Sequence, residues 1–317
     1  MEIDNSWYIF KGDGREPHNK IKDFNKKVPP PPWRGEKIVY IPTEKEIAVV
    51  NASIYLRRPL LLTGRPGTGK SSLAYAVGRE LNLEVLHWAV NSKTILEDGL
   101  YEYDAISRLH DAQRGDEKSI EEYITLNPLG KAFLKGEKCV LLIDEFDKSD
   151  VDLANDLLHI LEENEFEIPV LKRYKKVSKV NLGNKENPII IKDGKCKISS
   201  ENLPIIIITS NQERDFPPGF MRRCLYHYIE FPFVDRLVEI ACKHLNIVYD
   251  IKDKRQKEIE ILVEEFMDKR NAQGEYKERS ELAIDQLLNA AYLRLNGKVD
   301  ISNSETLKNA VFHNLER

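Results

Sequence analysis

The chain has 317 residues, 41% of them apolar and 32% charged, which is enough to bury a large core and excludes a disordered or fibrous protein. Its 48 basic and 52 acidic residues leave a net charge of −4, so no global field draws it toward nucleic acid or a membrane surface. Cys139, Cys196, Cys224 and Cys242 form no Cys-x-x-Cys pair and do not cluster with the seven histidines at zinc-ligand spacing.

Scattered thiols of this kind suit a reducing compartment. No apolar run approaches the roughly 18 residues of a spanning helix, and the opening Met1 to Trp7 lacks the basic-then-apolar order of a secretion signal. The expectation is a cytoplasmic protein with no membrane segment.

Residues 1–35 are polar and end in Pro29-Pro-Pro-Pro-Trp33-Arg34-Gly35, which reads as an N-terminal arm with a stiff linker. Trp7, Tyr8 and Phe10 are its apolar handles. Over 36–233, short apolar runs alternate with helical patterns, the signature of an α/β domain with a mainly parallel five-stranded sheet. The strands are read at 60–63, 84–90, 139–143, 205–209 and 226–231, nearly continuous in apolar character as strands covered on both faces should be. Helices are read at 71–81, with Leu73, Val77 and Leu81 on one face, and at 150–163, with Leu153, Leu157 and Leu161 on one face. From Val234 the strands stop and helical periodicity runs through Ile261/Leu262/Phe266, Ile284/Leu287/Leu288/Ala291 and Leu307/Val311/Leu315. A small all-helical domain over 234–317 follows, with Phe231-Pro232-Phe233 as the junction.

Gly64-Arg65-Pro66-Gly67-Thr68-Gly69-Lys70-Ser71 matches G-x-x-x-x-G-K-[ST] in full, after a strand and opening a helix. Glycines let the backbone N–H groups turn inward, and the helix N-terminus adds partial positive charge, so the segment is built to cradle phosphates. Lys70 reaches the β- and γ-phosphates, and Ser71, followed by Ser72, places a hydroxyl on Mg²⁺. The run Cys139 to Ile143 ends in Asp144-Glu145. Asp144 suits the metal ion, and Glu145 suits polarising an attacking water, which favours hydrolysis over transfer to a substrate hydroxyl. No Asn-Lys-x-Asp guanine-reading segment occurs, so ATP is expected rather than GTP.

Further features carry a family resemblance. The strand 205–210 is followed by Asn211, and then come Phe216-Pro-Pro-Gly-Phe-Met-Arg222-Arg223-Cys224 and a further strand. With Asp144-Glu-Phe-Asp-Lys148 and Leu157 to Ile168, the core over about 36–315 resembles the MoxR-type AAA+ ATPases. The resemblance implies a P-loop AAA+ core with a helical lid. It also implies that Asn211 is the sensor facing the γ-phosphate, and that Arg223 or the adjacent Arg222 is a finger entering a neighbour's site. By the same resemblance Asn91 restrains Glu145, Arg279 is the lid's sensor arginine, and Ile41 with Val39 and Tyr40 grips the base. The stretch Leu96 to Ala105 falls where the family places an insert in its second helix, and Tyr101 and Tyr103 there are either contact residues or simply packed. A hairpin is read at Ile189–Ile198 around Lys192-Asp193-Gly194. The basic stretch Leu171 to Lys179 reads first as a solvated loop.

The resulting expectation is a Mg²⁺-dependent ATPase that forms a homo-oligomeric, hexameric ring and remodels, assembles or activates a client protein. Two alternatives stay open: a motor or loader stimulated by nucleic acid, disfavoured by the mild acidity, and a non-hydrolysing assembly switch, disfavoured by the intact Asp144-Glu145 pair.

Overall fold

The structure, a computed structural model, describes residues 40–116, 118–173, 177–180, 189–198, 201, 203–250, 253–272, 282–296 and 311–312. The N-terminal arm, Arg279 and the Leu307 and Leu315 positions therefore lie outside the described residues. In chain order the elements begin with α1 (Glu44–Leu56), β1 (Leu60–Thr63), α2 (Lys70–Glu80), β2 (Val85–Ala89), α3 (Leu96–Leu100), β3 (Tyr101–Tyr103) and α4 (Ala105–Arg114). Next come β4 (Ile124–Leu126), α5 (Pro128–Leu134), β5 (Val140–Asp144), α6 (Val151–Glu163), β6 (Glu165–Glu167), α7 (Pro169–Lys172) and β7 (Val177–Val180). The series ends with β8 (Ile189–Lys192), β9 (Lys195–Lys197), β10 (Ile205–Ser210), α8 (Pro218–Arg223), β11 (Leu225–Tyr228), α9 (Val234–His244), α10 (Lys254–Ala272) and α11 (Ile284–Asn296).

Backbone contacts group Pro42–Gly64 with Leu73–Ile229 as one unit, and Met1–Ile41, Arg65–Ser72 and Glu230–Arg317 as another. In the first unit five parallel strands form a sheet in the order β11-β1-β10-β5-β2. Every residue of β1 and β10 is buried, as are Val140 to Ile143 of β5, which is why these segments read as unbroken apolar runs. The edge strands β2 and β11 are half-exposed and carry His87, Tyr226 and Tyr228. Parallel pairing sends all five carboxyl ends to one edge of the sheet, where open α/β folds bind their ligands.

Around this sheet α1 starts with a capping box: Glu46 N–H donates to Thr43 Oγ1 at 3.2 Å, and Thr43 N–H donates to Glu46 Oε2 at 2.7 Å. The insert after β2 pairs β3 with β4, and Tyr101 sits in the core at 6% exposure. Of the two readings left open by the sequence, Tyr101 therefore takes the packed one. Burial pushes its phenol well above the ordinary tyrosine range. Tyr103 is half-buried and accepts from Arg108 Nη1 at 3.0 Å. A second sheet has the order β6-β9-β8-β7. The expected hairpin is present in it: Lys192 pairs with Lys195 across Asp193 (φ 53°) and Gly194 (φ 71°), a two-residue turn with both centres left-handed. Lys195 of β9 lies near Glu165 and Glu167 of β6, and Lys172 of α7 donates to Glu167 at 2.7 Å.

Among the described residues, the second unit holds α9, α10 and α11, together with the segment Arg65–Ser72, which carries the phosphate loop and the first residues of α2. Leu237, Val238, Ala241 and Cys242 of α9 share a core with Leu262, Val263 and Phe266 of α10 and Leu287, Leu288 and Ala291 of α11. Phe266 packs between Phe231 (centroids 6.3 Å apart) and Phe312 (5.7 Å), and the Arg270 guanidinium stands 3.6 Å over the Phe231 ring.

Candidate active site

In the helical unit the phosphate loop has the backbone its sequence demands. Gly67 (φ 73°) and Gly69 (φ 90°) occupy conformations that L side chains rarely adopt. Neither has room for one: a Cβ on Gly67 would stand 2.2 Å from Ala283 Cβ, and one on Gly69 would stand 2.9 Å from the Tyr40 ring. Thr68 is buried, and its Oγ1 donates to the Arg65 carbonyl at 2.9 Å. Lys70, 7% exposed, donates from Nζ to the same carbonyl at 2.9 Å, so its ammonium lies back over the loop. Gly64 is buried, Ser71 and Ser72 are half-buried in the first turn of α2, and Pro66 is exposed. Tyr40 lies against the loop at Gly69, while the Ile41 carbonyl accepts from Arg236 Nη2 at 2.6 Å.

In the sheet unit the carboxyl ends of β5 and β10 form one hydrogen-bonded assembly. Thr209, 1% exposed, donates from Oγ1 to Asp144 Oδ1 at 2.5 Å and accepts from the Glu145 N–H at 2.9 Å. Glu145 sits at φ 58°, a left-handed conformation uncommon for a residue with a side chain, and the Thr209 hydroxyl ties that backbone down. The other Asp144 oxygen lies 3.2 Å from His87 Nε2. Tyr75 meets His87 edge-on at 6.3 Å, and its phenol is raised by burial and by the Asp144 charge.

Glu145 is not free of partners. Lys148 Nζ donates to its Oε2 at 2.7 Å, and this bond raises the lysine above its ordinary value. Asn91, expected to restrain Glu145, is bonded within its own turn instead: its Oδ1 accepts from Lys93 N–H at 2.9 Å. Lys148 makes the contact expected of Asn91. Asp147, 1% exposed, accepts from the backbone N–H groups of Asn211 (2.8 Å) and Glu213 (2.9 Å) through Oδ2. Asn211 is thus placed by its backbone, and its side chain has no hydrogen-bond partner among the described residues.

Helix α8 is tied to the same segment by aromatic packing. Phe146, Phe216 and Phe220 stack with centroids 5.4 to 5.6 Å apart, and Phe146 and Phe220 are fully buried. At the end of α8, Arg223 pairs with Glu162 of α6 and donates to the Gly219 carbonyl at 3.1 Å. Arg222 is exposed and has no partner among the described residues.

The family model of the AAA domain, dynein-related subfamily, matches residues 59–223, from the turn before β1 to the last residue of α8. The chain belongs to this family. An AAA domain is a nucleotide-dependent ATPase as a class, commonly uses Mg²⁺ and commonly works in rings. Among solved structures, a crystal structure of NtrX from Brucella abortus is similar at 17% identity and a TM-score of 0.42, over 79% of this chain and 50% of that one. This chain thus spans half the length of that protein. No match was found among curated proteins.

Within the AAA domain, the residue that sequence reasoning missed is Thr209. It closes a buried isoleucine run, and its one signal was a hydroxyl at the carboxyl end of a core strand. His87 and Lys148 were missed as well, because their importance comes from Asp144 and Glu145 beside them. Among the described residues no group of three or more His, Cys, Asp or Glu side chains is arranged to hold a metal alone, and no helix is long and apolar enough to cross a membrane. The hard oxygens available at Ser71 and Asp144 suit Mg²⁺, which is usually held by one or two protein ligands together with substrate phosphates.

Proposed function

We propose that this AAA protein is a MoxR-type ATPase that hydrolyses ATP at interfaces between copies of itself and uses the cycle to remodel, assemble or activate a partner protein. The observation that carries the hydrolytic reading is the bond series from Glu145 N–H through Thr209 Oγ1 to Asp144. One hydroxyl sets the metal-side carboxylate and the backbone of the water-activating carboxylate together, and a binding protein without turnover has no need of that coupling. Mg²⁺, when bound, supplies charge neutralisation at the phosphates.

The chain's own residues take the other roles. Lys70 and the loop N–H groups bind and orient the phosphates, and Ser71 and Asp144 offer oxygens to the metal ion. Glu145 accepts a proton from the attacking water, and Asn211 orients that water or the γ-phosphate. Arg223 or Arg222 serves the neighbouring copy, while Ile41 and Arg279 bound the nucleotide on the base and lid sides. The division into a nucleotide domain over 36–233 and a lid over 234–317 belongs to the same proposal.

The test is ATPase rate per subunit against protein concentration, for the wild type, Glu145→Gln and Arg223→Ala, with and without nucleic acid. A rate that climbs with concentration, is lost in both variants and ignores nucleic acid supports the proposal. Loss of a general base is expected to cost about 10²–10⁴-fold in turnover while ATP binding is kept. A rate independent of concentration refutes the shared site, and strong stimulation by nucleic acid favours a motor.

A further inference from the structure

At the carboxyl edge of the parallel sheet, three segments far apart in the chain meet at one hydroxyl. Tyr226 of β11 stands level with Leu61 of β1, and its hydroxyl reaches two residues further, to Thr63 at the end of that strand. Thr63 Oγ1 donates to the tyrosine oxygen at 2.9 Å, and Gln212 Nε2, from the turn after β10, donates to the same oxygen at 3.3 Å. Two donors fill the acceptor capacity of that oxygen. Thr63 is buried and is followed directly by Gly64, while Gln212 follows directly on Asn211. The Tyr226 side chain is 48% exposed, so packing alone does not account for an aromatic residue at this position, and its polar end is fully engaged.

The turn held in this way is strained. Gln212 sits at φ 62°, a left-handed conformation that glycine and asparagine adopt more readily than a longer side chain. Such backbone persists only where its surroundings over-determine it. On the β5 side, the Asn211 and Glu213 N–H groups both donate to Oδ2 of the buried Asp147. Within the turn, the Gln212 N–H donates to Ser210 Oγ at 2.9 Å. On the β11 side, the Gln212 amide goes to Tyr226. Three successive N–H groups and one side chain therefore fix the chain on either side of Asn211. Glycine at 212 would relieve the backbone but forfeit the amide.

We propose that Gln212 and Tyr226 are positioning residues for Asn211: the Tyr226 hydroxyl ties the turn that carries Asn211 to Thr63, and so sets the direction of the Asn211 amide. The inference rests on the reading of Asn211 as the residue that orients the attacking water or the γ-phosphate, and it adds the pair that aims it. An amide orients a water only within a narrow range of distance and angle. A turn anchored by Asp147 alone pivots about a single oxygen. The second anchor lies across β10 and β1 from the first and removes that freedom. Because it also holds Thr63, Asn211 and the start of the phosphate loop at Gly64 share one point of reference.

The test measures steady-state ATP hydrolysis by the full chain for Tyr226→Phe, Gln212→Gly and Asn211→Ala, and for each of the first two combined with Asn211→Ala. Tyr226→Phe deletes one hydroxyl, and Gln212→Gly deletes the amide while relieving the left-handed backbone. Misplacing a catalytic group by about 1 Å costs up to about 100-fold in rate, so each is expected to lower kcat about tenfold at an unchanged KM for ATP. The unchanged KM also shows that the variants are folded. In the Asn211→Ala background the same substitutions are expected to cost nothing further, since no amide remains to be aimed. A wild-type kcat in either single variant overturns the proposal, as does a loss equally large with and without Asn211, which would mark a structural role. The reading beneath it fails separately: a wild-type chain without turnover, or Asn211→Ala as fast as the wild type, overturns that reading and this inference with it.

Discussion

Thr209→Val removes one hydroxyl and keeps the shape of a fully buried side chain. Two bonds go with it. The 2.5 Å bond to Asp144 is of the charge-assisted O–H···O⁻ kind, and a hydrogen bond to a charged group contributes about 1.5–3 kcal/mol. The Glu145 N–H loses its acceptor, and a buried donor left unsatisfied costs about 1–3 kcal/mol. Glu145 and Asp144 are both partly exposed, so water recovers part of each, and a net loss of about 2–3 kcal/mol is expected. Urea unfolding followed by circular dichroism measures it, with Thr209→Ser as the control that keeps the hydroxyl. The kinetic signature separates positioning from plain destabilisation. With Glu145 no longer tied at φ 58°, kcat falls while the KM for ATP stays near the wild-type value, and serine restores it. If Thr209→Val unfolds within about 0.5 kcal/mol of the wild type, the range of an ordinary surface change, and hydrolyses ATP normally, the hydroxyl does not couple the two carboxylates.

Lys148→Met breaks a pair whose side chains are 37% and 45% exposed, worth about 0.2–1 kcal/mol. Freeing Glu145 is therefore expected to raise basal turnover by at most about fivefold with little change in stability, and a fall would show that Lys148 assists Glu145 instead of restraining it. Burial pushes the thiols of Cys139 and Cys242 up to about 11 and those of Cys196 and Cys224 up to about 12, from a reference of 9.0. Above pH 9 the unfolded chain releases these protons before the folded one does, so stability falls with rising pH, by about 1 kcal/mol per thiol between pH 9 and 10. Urea midpoints across that range should drop in the wild type and drop less in Cys196→Ala. A native chain whose four thiols react at once with a disulfide reagent would contradict their burial.

What the sequence determined is local. The phosphate loop is a contiguous run in which glycine, lysine and serine are each required by backbone or charge, so its residues were legible without neighbours. The unbroken apolar runs marked β1, β5 and β10 to within a residue or two, because strands covered on both faces leave no polar interruption. The hairpin at Asp193-Gly194 was legible for the same reason, since its turn needs left-handed centres that few residues supply.

Only the tertiary structure decided which strands are neighbours. β10 follows β5 by some sixty residues of chain yet lies between it and β1, and that order puts Thr209 beside Asp144. The exchange of Lys148 for Asn91 at Glu145, the withdrawal of Tyr101 into the core and the meeting of Thr63, Gln212 and Tyr226 at one hydroxyl have the same origin. A hydrogen bond or a shared field depends on separations of a few ångströms, and residues far apart in sequence reach those separations only when the sheet is assembled.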